Sequence, residues 1–265
     1  MTDVYDLHRG TRPLLISIPH AGTAVPADIE RRFSAAGRQL ADTDWFVDRL
    51  YGFAQALGAS IITARFSRYV VDLNRSSDSS ALYPGAATSP VCATLTFDGQ
   101  PIYAEGQQPD AAEIGERVER YWQPYHARIA AEIEDLRRRH GAALLWDAHS
   151  IASSIPALFE GQLPEFNFGT RDDASCPRDV GESLRNTVDQ DGRHSSILNG
   201  RFKGGYITQH YGRPAMKVCA VQLELAQRAY MDEGPVPAWN AQRAQPAASL
   251  IEKLLGRFLD TLTPR

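Results

Sequence analysis

Four short apolar runs, the first without alternation and each separated from the next by a long stretch, constrain this chain more than any other feature. They cover 13–18 (PLLISI), 60–64, 142–146 and 216–225. A strand that is nearly continuous in Val, Ile and Leu is buried on both faces, which is the habit of parallel strands covered by helices. Helical patterning fills the intervals. Pro26 is suited to a first helical position, opening a helix through Ile29, Phe33 and Ala36. Phe46, Val47, Leu50, Phe53, Ala54 and Leu57 recur at spacings of three and four and predict a helix over 44–57. A stripe of Ile114, Val118, Trp122, Tyr125, Ile129, Ile133 and Leu136 predicts another over 111–139, which Pro124 should kink or divide. Further helices are expected over 178–188 and 239–262, and further short strands over 69–73 and 166–168. Strands alternating with helices define an α/β fold with a mostly parallel central sheet flanked by helices. No linker or repeat interrupts 1–265, so a single domain is expected.

Composition narrows the function. Asp and Glu (32) outnumber Lys and Arg (28), for a net charge of −4 with no basic stripe, which excludes a nucleic-acid footprint. No apolar run approaches the roughly 18 residues of a membrane span, and MTDVYDLHRG lacks the apolar region of a secretory signal. Cys92, Cys176 and Cys219 are odd in number and form no C-x-x-C pair. Neither a disulfide framework nor a cysteine zinc site is expected, and the cytoplasm is the natural compartment. The partner is then a small molecule, with monomer or homodimer left open. One segment stands apart: the loop 76–110 is rich in Ser, Pro, Gly and Ala, with Asp98-Gly99 marking a small hairpin between 94–97 and 101–103. A connection that long inside a compact domain is usually functional, for instance a lid near a site.

Chemically capable residues gather where strands end. His20 follows the first strand in Pro19-His20-Ala21-Gly22, and His149 follows the 142–146 run in Asp147-Ala148-His149-Ser150. Asn74 and Arg75 end 69–73, and Glu224 closes Val221-Gln222-Leu223-Glu224. In open α/β sheets ligands bind outside the carboxyl ends of the strands. Two histidines and a carboxylate are the ligand set of a catalytic zinc with a fourth position open to water. Asp44 is the chosen carboxylate, with Asp42 the alternative and helix capping the ordinary use of either. Arg75 is placed to fork onto a carboxylate. Cys219, Val221, Leu223 and Leu225 form one apolar face, leaving Gln222 and Glu224 to line a site or water. Gly204-Gly205 lets the backbone approach something closely, and His210 and Arg213 just beyond are candidate substrate contacts. His126, inside the aromatic helix stripe, is expected to be a packing residue.

Together these motifs resemble the N-formylglutamate amidohydrolase family. Pro19-His20-Ala21-Gly22, Asp42-Thr43-Asp44, the segment 67–75 ending Asp72-Leu73-Asn74-Arg75, Asp147-Ala148-His149-Ser150, Asn167-Phe168-Gly169-Thr170, Lys203-Gly204-Gly205-Tyr206 and Gln222-Leu223-Glu224-Leu225 fall in the family's order. The resemblance runs from about 13 to 230. It implies hydrolysis of N-formyl-L-glutamate to formate and L-glutamate, the last step of a histidine degradation route. It also implies kinship with the zinc carboxypeptidase and aspartoacylase group, and so a zinc-carboxypeptidase-like (phosphorylase/hydrolase-like) sheet.

In that wider group the Asn and Arg of an Asp-Leu-Asn-Arg stretch hold the substrate carboxylate, and an upstream Arg polarises the scissile carbonyl. Asn74 and Arg75 match the first pair; Arg68 matches the second, with a spacing one residue shorter. The group's acidic ligand lies three residues after its first His, where this chain has Thr23, so the acid comes from elsewhere. The resemblance thus implies Zn2+, or another divalent metal such as Co2+, on His20, Asp44 and His149. Glu224 is then the general base, Arg68 the oxyanion partner, and Asn74, Arg75, Arg213 and His210 the substrate contacts. Asp147 either orients the His149 imidazole or is structural. The rivals are a deacylase of another N-acyl amino acid, a small carboxypeptidase-like hydrolase, and a carboxylate-binding protein without a metal.

Overall fold

The structure, a computed structural model, describes residues 3–80 and 89–262. Its elements in chain order are β1 (Tyr5–His8), β2 (Leu14–Ile18), α1 (Ala27–Glu30), α2 (Val47–Leu50), β3 (Ser60–Ala64), α3 (Ala111–Arg117), α4 (Gln123–His140), β4 (Ala143–Ile151), β5 (Phe166–Gly169), α5 (Arg178–Asp191), β6 (Ser196–Leu198), α6 (Tyr206–Tyr211), β7 (Val218–Ala226), β8 (Met231–Asp232), β9 (Ala238–Trp239) and α7 (Ala241–Asp260). Seven strands form one sheet in the order β1-β3-β2-β4-β7-β5-β6. Its centre, β3-β2-β4-β7, is parallel, while β1 and β5 pair antiparallel with β3 and β7. The expected mostly parallel α/β sheet is what forms, with the edge strand β1 added.

Every residue of β2 and β4 is buried, because helices cover both faces. On one face Leu14, Ile16, Trp146, Val221 and Leu223 meet Leu250, Leu254 and Phe258 of α7. The Trp146 indole N–H is satisfied by the Tyr51 hydroxyl at 2.7 Å, as a buried donor requires. On the other face Leu15, Ala143, Leu145, Val218 and Ala220 pack under Tyr125, Ile129 and Leu136 of α4. That second face changes character along the strands. Continuing at period two, Leu145 leads to Asp147 and His149 on β4, and Ala220 leads to Gln222 and Glu224 on β7. The apolar half is core and the polar half, at the carboxyl ends, is the site.

Several elements differ from expectation. The 69–73 run is no strand but a buried turn. Its carbonyls, with no ladder to join, are held by side chains: Arg117 Nη1 donates to Val70 O at 3.1 Å and Tyr103 Oη to Tyr69 O at 3.3 Å. The helix expected over 44–57 shrinks to α2 and a 3₁₀ turn, Gly52–Gln55. Its first residues are committed to tertiary bonds: Asp44 N donates to His20 O at 3.1 Å, and Trp45 O accepts from Tyr230 at 2.6 Å. The helix after Pro26 is likewise one turn, since Phe33 leaves to bridge Tyr103. Pro124 does divide its helix. Lacking an N–H, it breaks the regular ladder, and the chain widens into a π-turn, Val118–Trp122, in which Gln123 N reaches back to Val118 O. β4 runs on to Ile151, so His149 lies inside it. β7 starts at Val218, Met216 belonging to a 3₁₀ turn, and ends beyond Glu224. The Asp98-Gly99 hairpin forms, with Gly99 at φ +85° and Thr96 N bonded to Gln100 O at 2.8 Å. Residues 81–88 of the expected lid lie outside the described residues. No helix among the described residues is long and apolar enough to cross a membrane.

Candidate metal centre

His20, Asp44 and His149 come together, each buried at 2, 1 and 3% exposure. One ligand atom from each lies within 4.8 Å of the others, and the two imidazoles sit 4.9 Å apart at a 55° tilt. The elements explain the convergence. His20 leaves β2 after Ile18, His149 stands on neighbouring β4, and Asp44 is tied back to His20 through its backbone N–H. The Asp44 carboxylate then lies between the rings, 3.0 Å from His149 Nδ1 and 3.7 Å from His20 Nδ1, and Ser150 N donates to it at 3.1 Å.

The outer nitrogens are also spoken for. Asp72 Oδ1 lies 2.9 Å from His20 Nε2, and Asp147 Oδ2 lies 3.0 Å from His149 Nε2. Asn74 Nδ2 donates to the same His149 nitrogen at 3.0 Å, its oxygen accepting from Ile207 N at 2.8 Å, while neither Asp147 oxygen has a hydrogen-bond partner. The Asp72 carboxylate on the outer nitrogen of His20 turns the His20 Nδ1 lone pair toward Asp44, the arrangement that orients a metal-ligating histidine. His20 Nδ1 and Asp44 Oδ1 are buried with no hydrogen-bond partner, which is costly unless something else occupies them. Asp44, Asp72 and Asp147 also outnumber the two nearby guanidinium groups, Arg68 and Arg75. Donor set, orphaned atoms and surplus negative charge all fit a divalent cation.

The electrostatics follow from these neighbours. Burial raises the Asp72 carboxyl, but Arg68 and His20 outweigh it and hold the group well below its usual value. Burial opposes a charged His149, yet Asp147 and Asp44 keep its pKa well above the usual value. His20 is lowered by burial and by Arg68, against the pull of Asp72. Glu224 is in register with His149 across β4 and β7. Burial pushes its carboxyl up to about 8, with Asp44 adding to the rise and His149 opposing it. Gln222 Nε2 donates to Glu224 Oε2 at 3.1 Å.

The other expected residues divide. Arg68 is at the centre, Nη2 donating to Asp72 Oδ2 at 2.6 Å and Nη1 3.7 Å from Asp44, its guanidinium under the Phe97 ring. Asn74 is at the centre too. Arg75 adjoins it with Nε donating to Ser89 at 3.0 Å. His210 and Arg213 are exposed on and beyond α6; His210 stacks on Tyr206, and Arg213 donates to His210 O at 3.1 Å. Asp42 is outside the cluster, accepting from Phe97 N at 2.9 Å and so pinning the hairpin beside the site. Gly205 approaches Asn74 so closely that a Cβ there would sit 2.3 Å from its Nδ2. Asp72, which the sequence motifs leave without a role, lies four residues after Arg68, a spacing that pairs charges in local turns.

An α/β sheet that converges two imidazoles, a carboxylate between them and a buried glutamate at its carboxyl ends has a cluster that could hold a metal ion. The chain belongs to the N-formylglutamate amidohydrolase family, whose model matches residues 12–231. It is 46% identical to N-formylglutamate deformylase of Pseudomonas putida and 48% identical to that of Pseudomonas aeruginosa, in each case over 98% of this chain and 97% of the relative. Its fold is similar to the crystal structure of N-formylglutamate amidohydrolase from Ralstonia eutropha JMP134, with TM-score 0.80, 26% identity, and 98% and 97% of the two chains covered.

Proposed function

We propose that this chain hydrolyses N-formyl-L-glutamate to formate and L-glutamate, with zinc or a similar divalent metal such as Co2+ held by His20, Asp44 and His149. The observation that carries the proposal is the convergence of His20, Asp44 and His149, with His20 Nδ1 and Asp44 Oδ1 buried without hydrogen-bond partners and Glu224 in register beside His149. When bound, the ion supplies a Lewis acid and renders water acidic near neutral pH. Glu224 takes the proton of the water that attacks the formyl carbon. It returns that proton to the glutamate nitrogen as the C–N bond breaks. Arg68 faces the charge developing on the carbonyl oxygen. Asn74 and Arg75 hold a substrate carboxylate, with Arg213 and His210 at the outer side of the site. The cavity beside the centre is about 220 Å³, lined by Asp42, Thr43, Phe97, Ser150, Ile155 and Gln227 among others. The setting proposed is the end of histidine degradation in the cytoplasm.

Formate release from N-formyl-L-glutamate, before and after chelation and after metal is restored, tests the reading. Loss with chelator and recovery with one metal per chain is expected. Activity indifferent to chelation contradicts the metal, and faster turnover of N-acetylglutamate or of a dipeptide contradicts the substrate.

The carboxylate contact has its own test. Arg75→Lys keeps the charge and removes the planar fork, so kcat/KM for N-formyl-L-glutamate is expected to fall by ~1.5–3 kcal/mol. A diester, which offers no carboxylate, should lose much less. Equal losses mean that Arg75 only supports the structure.

The raised Glu224 pKa also predicts how the metal-free protein responds to pH. The folded state keeps this carboxyl protonated up to about 8, against the usual 4.5. Its contribution to stability is therefore complete below about 4.5 and is lost as pH rises through 8. In chelator, the melting temperature of the natural chain should fall between pH 6 and 8.5 relative to Glu224→Gln. Parallel curves for the two proteins refute the assignment.

A further inference from the structure

The turn that carries Asp72, Asn74 and Arg75 is held by three consecutive backbone carbonyls, each with its own donor. His126 Nε2 lies 2.8 Å from Leu73 O, Tyr206 N donates to Asn74 O at 3.3 Å, and the Trp122 indole N–H donates to Arg75 O at 2.9 Å. Irregular buried backbone needs such partners. Here two of the three come from side chains four residues apart, a spacing that shares one helix face. The Trp122 ring stacks on the His126 imidazole with centroids 3.8 Å apart at 29°. Tyr211 lies nearly parallel to the same imidazole, 5.9 Å away at 13°, and its hydroxyl is 3.0 Å from His126 Nδ1. Neither ring can turn without losing its carbonyl.

His126 is also neutral: burial takes its pKa down to about 3. A carbonyl can only accept, so the single ring proton is on Nε2 and points at Leu73. The imidazole therefore fixes the turn without adding charge beside an anion site. Trp122 ends the π-turn that Pro124 imposes, and π-turns recur where helices serve functional sites.

We propose that Trp122 and His126 are positioning residues for substrate, a bracket that sets the angle at which Asn74 and Arg75 meet the substrate carboxylate. This rests on the carboxylate-holding role proposed above for that pair. A packing residue would contribute to stability alone, whereas a bracket acts on the binding of one chemical group.

The test uses the metal-loaded full chain. Trp122→Phe keeps the ring and removes its N–H; His126→Phe removes the donor to Leu73, and His126→Gln restores a side-chain N–H there. For N-formyl-L-glutamate, Trp122→Phe and His126→Phe are each expected to raise KM ~10-fold, the scale of one lost hydrogen bond, with kcat changed far less. The diester should be affected much less than the diacid, and His126→Gln should recover most of the loss. Equal effects on diacid and diester, or no effect on KM, overturn the proposal. Arg75→Lys run in parallel separates the two ideas. If it too treats the substrates alike, the carboxylate contact itself is wrong; if it discriminates while the bracket variants do not, that contact stands and the bracket falls.

Discussion

Glu224→Gln is expected to lower the turnover number by at least the ~10²-fold typical of losing a general base, while metal content and KM stay near their natural values. The change removes one titratable oxygen and keeps the shape. Gln222 Nε2 loses its ionised acceptor but can still donate to the amide oxygen of the new side chain. The backbone of residue 224 remains held by Asn167 Nδ2, which donates to its carbonyl at 3.0 Å. Nothing in the His20–Asp44–His149 cluster bonds to the Glu224 carboxyl, so the ligands are undisturbed. The pH profile sharpens the test. A base must be ionised, and a buried carboxyl at about 8 would be idle at neutral pH without a cation beside it. Metal loading should therefore shift the rising limb of kcat/KM to lower pH than the titration of Glu224 in the metal-free protein. A Glu224→Gln enzyme of nearly normal rate ends the general-base role.

Much of this was legible in the sequence because it lies on long strands. The runs of β2, β4 and β7 are apolar for a physical reason, burial on two faces, and their polar ends are where that reason stops applying. His149 and Glu224 show it directly: each continues a period-two series that is apolar at Leu145 and Ala220 and polar from Asp147 and Gln222 onward. What could not be seen locally was the contact order. Tyr69–Leu73 has strand composition, but its hydrogen bonds go to Arg117, Tyr103 and His126, residues 34 to 53 positions away. Propensity does not register partners at that distance. The 44–57 helix failed for a related reason, since its first turn holds Asp44 against His20 and Trp45 against Tyr230. His126 shows the reverse error. Its place in an aromatic stripe marks packing, and it does pack, but the same ring also holds Leu73.

The choice between Asp44 and Asp42 as acidic ligand has the largest expected effect on metal content. Asp44→Asn replaces a buried anion, 1% exposed, with a neutral amide whose nitrogen cannot ligate. It also removes the carboxylate that pairs with His149 Nδ1 at 3.0 Å. Losing an outer carboxylate from a metal-ligating histidine costs 10–100-fold in affinity. Losing the ligand itself should exceed that range, so the purified variant should carry little metal and release formate at a background rate. Asp42→Asn, two residues away, makes the opposite prediction. Its carboxylate contacts Phe97 N and none of the ligand atoms, and an amide oxygen can still accept that bond. Metal content should be unchanged, with any loss of activity traced to the hairpin over Arg68. Asp72→Asn should fall between the two, because it weakens the orientation of the His20 imidazole while sparing all three ligands. If Asp42→Asn strips the metal and Asp44→Asn does not, the centre is built on the wrong carboxylate.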